Sequence, residues 1–209
     1  MEAILTRQIE GISEKILTCA KEEFLEKGYS DASLRTIAAK AGTTTGTIYS
    51  RFKDKEGLFS AIVEPVADDV IGIFRRVQED FHAVEAKEQP KLMETYISSG
   101  MEEMLDYVYD HFEAFQLLLD ASYGTKFQDF VERMVEIETE YTYKFMENIQ
   151  FQEREFVTEE FIHIMSRALF ESMFEVIRHK MDKEKALGYM KILERYHYAG
   201  WNEIFHYDD

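Results

Sequence analysis

The chain has 209 residues, 45% of them hydrophobic, with a formal net charge of −17, two prolines, ten glycines and one cysteine. That is enough apolar material for one sizeable core and a small satellite, too little proline and glycine for an all-β protein, and too little cysteine for an internal disulfide or a paired-cysteine metal site. No run of about 18 apolar residues occurs and the opening MEAILTRQIEGISEK is charged, so neither a spanning helix nor a secretory signal is expected, and the expected location is cytoplasmic.

The first helix carries Ile12, Ile16, Leu17, Cys19, Ala20 and Phe24; Cys19 reads as a small core filler rather than a reactive thiol. Leu34, Ile37, Ala38 and Ala41 then recur at steps of three and four, the spacing of one buried helix face. Ser33 stands where an N-cap is needed and Gly42 supplies the left-handed backbone that ends the helix. Thr43 and Thr44 are candidate caps for a third helix, about Thr45 to Phe52, with Ile48 and Phe52 inward and Thr45, Thr47, Tyr49, Ser50 and Arg51 outward. Two short helices joined by such a turn form the DNA-reading unit. Short hydroxyl side chains approach base edges closely, and Gly46 keeps that end of the helix thin. Tyr49 suits a phosphate hydrogen bond, and Arg51, Lys53 and Lys55 suit the phosphate backbone.

Charge is partitioned to match. Residues 1–57 hold nine Lys or Arg and nine Asp or Glu, so all seventeen excess negatives follow residue 57. Between residues 31 and 55 five bases stand against two acids. An acidic protein with one basic lip presents that lip to nucleic acid.

From Lys15 to Phe59 the run KILTCAKEEFLEKGYSDASLRTIAAKAGTTTGTIYSRFKDKEGLF resembles the N-terminal domain of TetR-type transcriptional regulators. Phe24, Gly28, Tyr29, Ile37, Ala38, Ala41, Gly42, Gly46, Thr47, Ile48, Tyr49, Phe52, Lys55, Glu56, Leu58 and Phe59 fall on that pattern. The resemblance implies that Thr45, Gly46 and Thr47 lie in the major groove, that Tyr49, Ser50 and Lys55 touch phosphates, and that Ser33 and Arg35 assist from the preceding helix. Thr44, Arg51 and Lys53 complete the expected DNA-binding set. Two positions depart from the family: Thr43 replaces a small aliphatic residue and Arg51 replaces a His or Tyr.

The fourth helix is expected from about Asp54 or Lys55 toward Phe81, with a kink or break near Ala61 because Pro65 lies inside it. The segment HAVEAKEQ, residues 82–89, reads as a linker, and Pro90 suits the start of a helix running to about Tyr109. A shorter helix, about Phe112 to Ala121, stops before Gly124. Thr125 is expected to cap a long helix containing Phe127, Phe130, Val131, Met134, Tyr141, Phe145 and Ile149. Two more follow, about Thr158 to Lys180 and about Asp182 to His206. The first has two apolar sides, Phe161, Met165, Ala168 and Ser172 on one, Ile162, Leu169, Met173 and Ile177 on the other.

A single recognition helix reads few bases, so a two-fold dimer with heads about 34 Å apart is expected on a palindromic operator. In TetR-like proteins the last two helices commonly form that interface, here Phe161, Met165, Ala168, Ser172, Met190, Leu193, His197, Gly200, Trp201 and Ile204. The excess of aromatic and methionine residues between 93 and 174 suits an adaptable apolar pocket. In a TetR-like body it implies a pocket drawn from Tyr96, Met104, Tyr107, Phe115, Phe127, Phe130, Met134, Tyr141 and Phe170, with Glu138 and His163 as orienting groups.

Four Glu-x-x-His pairs, Glu79–His82, Glu160–His163, Glu194–His197 and Glu203–His206, raise the alternative of a di-iron carboxylate bundle. So many glutamates produce such pairs by chance, and no catalytic residue, metal or cofactor is expected. The reading is an all-α protein of about nine helices. Residues 1–57 are expected to form a helix-turn-helix DNA-binding domain, and residues 58–209 a helical ligand-binding and dimerisation domain. The expected function is a homodimeric transcriptional regulator, a repressor released from its operator by a small apolar or amphipathic ligand. A helical adaptor without ligand response is the alternative. No membrane partner and no enzymatic activity are expected.

Overall fold

The computed structural model describes residues 2–152 and 155–205, with side chains from residue 11 onward. Among these, nine helices account for the fold and no strand occurs. They are α1 (Glu2–Asp31), α2 (Leu34–Lys40), α3 (Thr45–Phe52), α4 (Lys55–His82), α5 (Gln89–Asp110), α6 (Phe112–Asp120), α7 (Phe130–Asn148), α8 (Glu159–Arg178) and α9 (Lys183–Phe205). The expected end of the last helix, His206, and the Glu203–His206 pair with it, fall outside the described residues. None of the described helices is long and apolar enough to cross a membrane.

Contacts divide the chain into two units: Met1–Asp68 with His111–Gln128, and Asp69–Asp110 with Asp129–Asp209. The first is packed around Ile16, Ala20 and Phe24 of α1, Ile37 and Ala38 of α2, Ile48 of α3, Leu58 and Phe59 of α4, and Phe115, Leu117 and Leu118 of α6, all buried. Gly28, at φ 73°, takes the left-handed backbone that an L side chain avoids and ends the regular run of α1. The turn brings Tyr29 to Phe24 and Phe59, at ring separations of 6.1 and 5.3 Å, while Phe24 and Phe59 meet edge to face at 5.1 Å. α6 joins the same unit: Tyr29 N–H donates to the Ala121 carbonyl at 3.3 Å, and Lys21 pairs with Glu113.

Cys19 is half-buried, not buried as expected of a core filler, because Ile16 and Ala20 already occupy the inward positions of α1. Pro65 does not break α4, which runs continuously from Lys55 to His82. Pro65 and Ala61 are both exposed, so the ring lies outward and water can satisfy the carbonyl that the proline deprives of a donor. The expected α7 starts too early. Thr125 caps no helix: its hydroxyl donates to the Ser122 carbonyl at 2.6 Å and accepts from Phe127 N–H at 3.2 Å, fixing a tight turn. Phe127 therefore belongs to that turn, buried 6.3 Å from the Phe59 ring, and α7 begins at Phe130.

The second unit comprises the C-terminal part of α4 with α5, α7, α8 and α9. The expected linker is a short turn, tied down by Gln89, which is buried, donates to the Val84 carbonyl at 3.0 Å and accepts from Asn148 at 3.1 Å. α4 and α5 approach closely because Gly100 presents no side chain; a Cβ there would meet Val77 Cγ1 at 2.8 Å. One cluster gathers Phe81, Phe145, Met146, Phe151, Val157, Ile162 and Phe205, with Trp201 stacked on Phe205 at 5.2 Å. Thr158 caps α8 by accepting from Phe161 N–H at 3.3 Å.

Candidate nucleic-acid interface and ligand cavity

The geometry of α2 and α3 follows from three short-range devices. Ser33 Oγ accepts from Thr36 N–H at 3.4 Å, capping α2. Gly42, at φ 67°, ends α2, and Thr43 N–H returns to the Ala38 carbonyl at 2.9 Å. Thr44 Oγ1 accepts from Thr47 N–H at 3.2 Å and lies 3.1 Å from Thr47 Oγ1, so of the two candidate threonines it is Thr44 that caps α3. Ile48 is the buried anchor. At the far end Lys53 takes φ 73°, and Asp54 Oδ1 accepts from Gly57 N–H at 2.7 Å to start α4.

Facing outward on this frame are Tyr49, 54% exposed, and Ser50, with Thr44 and Gly46 exposed at the opposite end and Thr45 and Thr47 half-buried between them. The basic residues divide into two groups. Arg35 and Lys53 are exposed. Arg51 donates to Ser13 Oγ at 2.7 Å, and Lys55 donates to the Ser30 carbonyl at 2.8 Å while lying 5.0 Å from the Tyr29 ring centre. Burial lowers the Lys55 pKa, with Asp31 opposing the shift, and burial raises that of Tyr29, with Glu56 and Asp54 adding to it. Sequence reasoning missed Glu23, a buried carboxylate that accepts from Ser33 N–H and from Lys40 Nζ, both at 3.3 Å. Its position on the Ile16, Ala20, Phe24 stripe was the available signal.

Within the second unit a cavity of about 130 Å³ lies among α4, α5, α7, α8 and α9, far above the roughly 10–15 Å³ one water needs. Of the expected pocket residues, Tyr96, Met104, Glu138, Tyr141 and Phe170 line it. Six do not. Phe115 and Phe127 are buried in the first unit. Phe130 packs on Phe174 at 5.8 Å, and Met134 borders a separate void of about 10 Å³. Tyr107 donates to Asp69 at 2.7 Å, and His163 faces Glu132 at 3.6 Å. Residues the sequence did not mark include Gln78, Phe81, His82, Thr142 and Phe145. His197 and Trp201, expected at a dimer interface, also line the cavity.

The polar side of the cavity is small. Gln78 Nε2 donates to Glu138 Oε2 at 2.6 Å. Burial raises the Glu138 carboxyl to about 7, the Gln78 hydrogen bond opposing it. His82 sets Nδ1 2.8 Å from the Gln78 carbonyl and Nε2 3.1 Å from that of Tyr141. Burial lowers the pKa of His197, which favours its neutral form. Among the described residues no three His, Cys, Asp or Glu side chains come together as a metal site.

α8 and α9 also carry an exposed apolar face. Ile164, Ile192 and Tyr196 are 57, 69 and 74% exposed. Ala168 and Gly200 are exposed, and Phe161, Met165, Ser172, Leu193 and Ile204 half-buried. Met190, by contrast, is buried within the unit.

An all-helical protein with a capped helix-turn-helix near its N-terminus and a separate helical unit enclosing an apolar cavity has the build of a DNA-binding regulator. Residues 16–62 match the family model for bacterial regulatory proteins of the tetR family. The HTH-type transcriptional regulator YvdT of Bacillus subtilis is 45% identical over 60 residues, which is 29% of this chain and 31% of YvdT. UidR of Escherichia coli is 34% identical over 71 residues, 34% of this chain and 36% of UidR. The chain thus matches about a third of the length of these curated relatives. Among solved structures, SmeT, the repressor of the Stenotrophomonas maltophilia multidrug efflux pump SmeDEF, superposes over 90% of this chain and 89% of its own. The TM-score is 0.61 and the identity 18%, and a complex of SmeT with triclosan matches at 0.60. Residues 16–62 are thus a tetR-type N-terminal domain, and the chain as a whole shares its fold with solved TetR-family regulators.

Proposed function

We propose that the protein is a homodimeric transcriptional repressor that binds a palindromic operator through α2 and α3 and leaves it when a small apolar or amphipathic molecule fills the cavity of the second unit. The observation that carries the reading is the outward face of α3, where Thr45, Gly46, Thr47, Tyr49 and Ser50 surround a helix start held by Thr44. Hydroxyl groups and a thin helix end suit base edges, and Tyr49, Ser50, Arg35 and Lys53 suit phosphates. Ser33 keeps its assisting role through its cap on α2. Arg51 and Lys55 contribute positive potential from positions already bonded to protein oxygens. In this reading residues 1–57 are the DNA-binding domain and residues 58–209 carry ligand binding and dimerisation.

Dimerisation is supported by the exposed Ile164, Ile192 and Tyr196, an apolar face of the kind that a monomer in water does not favour. Ligand control is supported by the cavity, and the solved complex of SmeT with triclosan supplies a precedent of similar fold. A ligand that prefers a dimer with a different head spacing would draw the population away from DNA. Location in the cytoplasm follows from this role.

The test is fluorescence anisotropy of the full chain with duplexes tiled across the DNA upstream of its own gene. One near-palindromic duplex should bind, with steep salt dependence, and Thr47→Ala with Tyr49→Ala should abolish binding while leaving helicity unchanged. Salt-insensitive or absent DNA binding would overturn the repressor reading and favour a helical adaptor.

A further inference from the structure

Among the described residues the cavity lining contains one carboxylate, Glu138, and no aspartate, and its walls hold no lysine or arginine to offset it. α4 contributes Gln78, which donates to one Glu138 oxygen, and His82, whose two ring nitrogens both lie against backbone carbonyls. α5 contributes Tyr96; α7 adds Tyr141 and Thr142; α8 adds only Leu169, Phe170 and Met173; α9 adds His197 and Tyr198. Burial lowers the pKa of His197, which keeps that imidazole neutral as the pH rises through neutrality. A lone carboxylate in such walls is held at a cost, and a molecule that brings a positive charge to it recovers that cost.

We propose that this cavity selects a lipophilic amine, an apolar body bearing one protonated nitrogen that pairs with Glu138, over neutral or anionic molecules with the same body. The proposal rests on the reading of the cavity as a ligand site. Aromatic faces from Tyr96 and Trp201 suit both parts of such a molecule, since they pack against hydrocarbon and attract a cation. An anionic ligand would meet Glu138 with no lysine or arginine among the described lining residues to compensate. Affinity for the amine depends on pH in a set direction. The Glu138 carboxyl, raised to about 7 by burial, is protonated below that pH and must ionise to pair with the ammonium. An aliphatic amine stays charged from pH 6 to 8, so roughly nine-tenths of sites are competent at pH 8 and about one-tenth at pH 6, a tenfold loss.

Decylamine, decanol and decanoate carry the same apolar body with a cationic, neutral and anionic head. Each is titrated into the full chain at pH 8 and pH 6, with binding read from the fluorescence of Trp201, the only tryptophan in the chain and part of the cavity wall. At pH 8 decylamine should bind roughly ten- to a hundredfold more tightly than decanol, the range expected of a charge-assisted hydrogen bond. Decanoate should bind most weakly, and the advantage of decylamine should fall about tenfold at pH 6. Glu138→Gln should bring decylamine affinity down to that of decanol. Equal binding of decylamine and decanol at pH 8 refutes the proposal while the cavity reading stands. A pH dependence that survives intact in Glu138→Gln also refutes it, because it assigns the effect to a group other than Glu138. If none of the three molecules alters Trp201 fluorescence, the cavity reading falls and the proposal with it.

Discussion

Replacing Glu138 by glutamine should stabilise the protein at alkaline pH and do nothing at acid pH. Glutamine keeps the shape and can still accept from Gln78, so the substitution removes the charge and little else. Below about pH 4.5 the carboxyl is protonated in both folded and unfolded chains and contributes no pH dependence. Between 4.5 and about 7 the unfolded chain has released the proton that the folded chain still holds, so stability falls as pH rises. Above about 7 both states are ionised and the whole penalty is present. The gap between 4.5 and about 7 corresponds to about 3 kcal/mol, a ceiling that water in the cavity would lower. For a chain of this length that is a gain of roughly 6–12 °C in the midpoint of thermal unfolding at pH 8, shrinking toward zero near pH 4.5. Trp201 reports on the second unit, and its fluorescence follows the transition. An offset between the two proteins that is the same at both pH values would refute the reasoning, since it would mean that burial does not raise this carboxyl.

Gly57→Ala would set a Cβ 1.9 Å from the Phe52 carbonyl oxygen, a backbone atom that cannot rotate away. The turn from α3 to α4 would have to open, so operator binding by anisotropy should be lost and the first unit destabilised by about 1–3 kcal/mol or more; wild-type binding would refute the geometry. Thr44→Ala removes the oxygen that accepts from Thr47 N–H and should cost about 1 kcal/mol, seen as a roughly fivefold weaker operator complex. Thr43→Ala, which removes no cap, should bind as the wild type does. Ile192→Glu combined with Tyr196→Glu puts two charges on the exposed face of α9; sedimentation should show a monomer with intact helicity, and a persisting dimer would move the interface elsewhere.

The helix-turn-helix was legible because its determinants are local. Ser33, Gly42 and Thr44 act on backbone groups within a few residues, so spacing alone fixes α2 and α3. The fate of the basic side chains was not, because the oxygens that hold Arg51 and Lys55 lie 38 and 25 residues away in sequence. The pocket shows the same limit. Counting aromatic residues located the material between α5 and α8 but not its division between two units. α6 and the turn after it interrupt the second unit in sequence yet pack with α1, taking Phe115 and Phe127 with them. On α9 both sides are apolar, and periodicity does not say which side faces the cavity. Trp201 and His197 turn inward while Ile192 and Tyr196 remain exposed.

Glu138 was singled out in the sequence only because it is polar among apolar neighbours, and its surroundings give that oddity a physical meaning. As a packing element glutamine would serve as well, and at neutral pH it would serve better, because it carries no charge to desolvate. The carboxylate differs from the amide in the one property that its apolar walls make expensive. An expense of this kind is offset only by an interaction that needs the charge, and among the described residues no lysine or arginine in these walls supplies one. A cationic ligand would supply that interaction, which ties the stability penalty and the proposed selection of such a ligand to the same side chain.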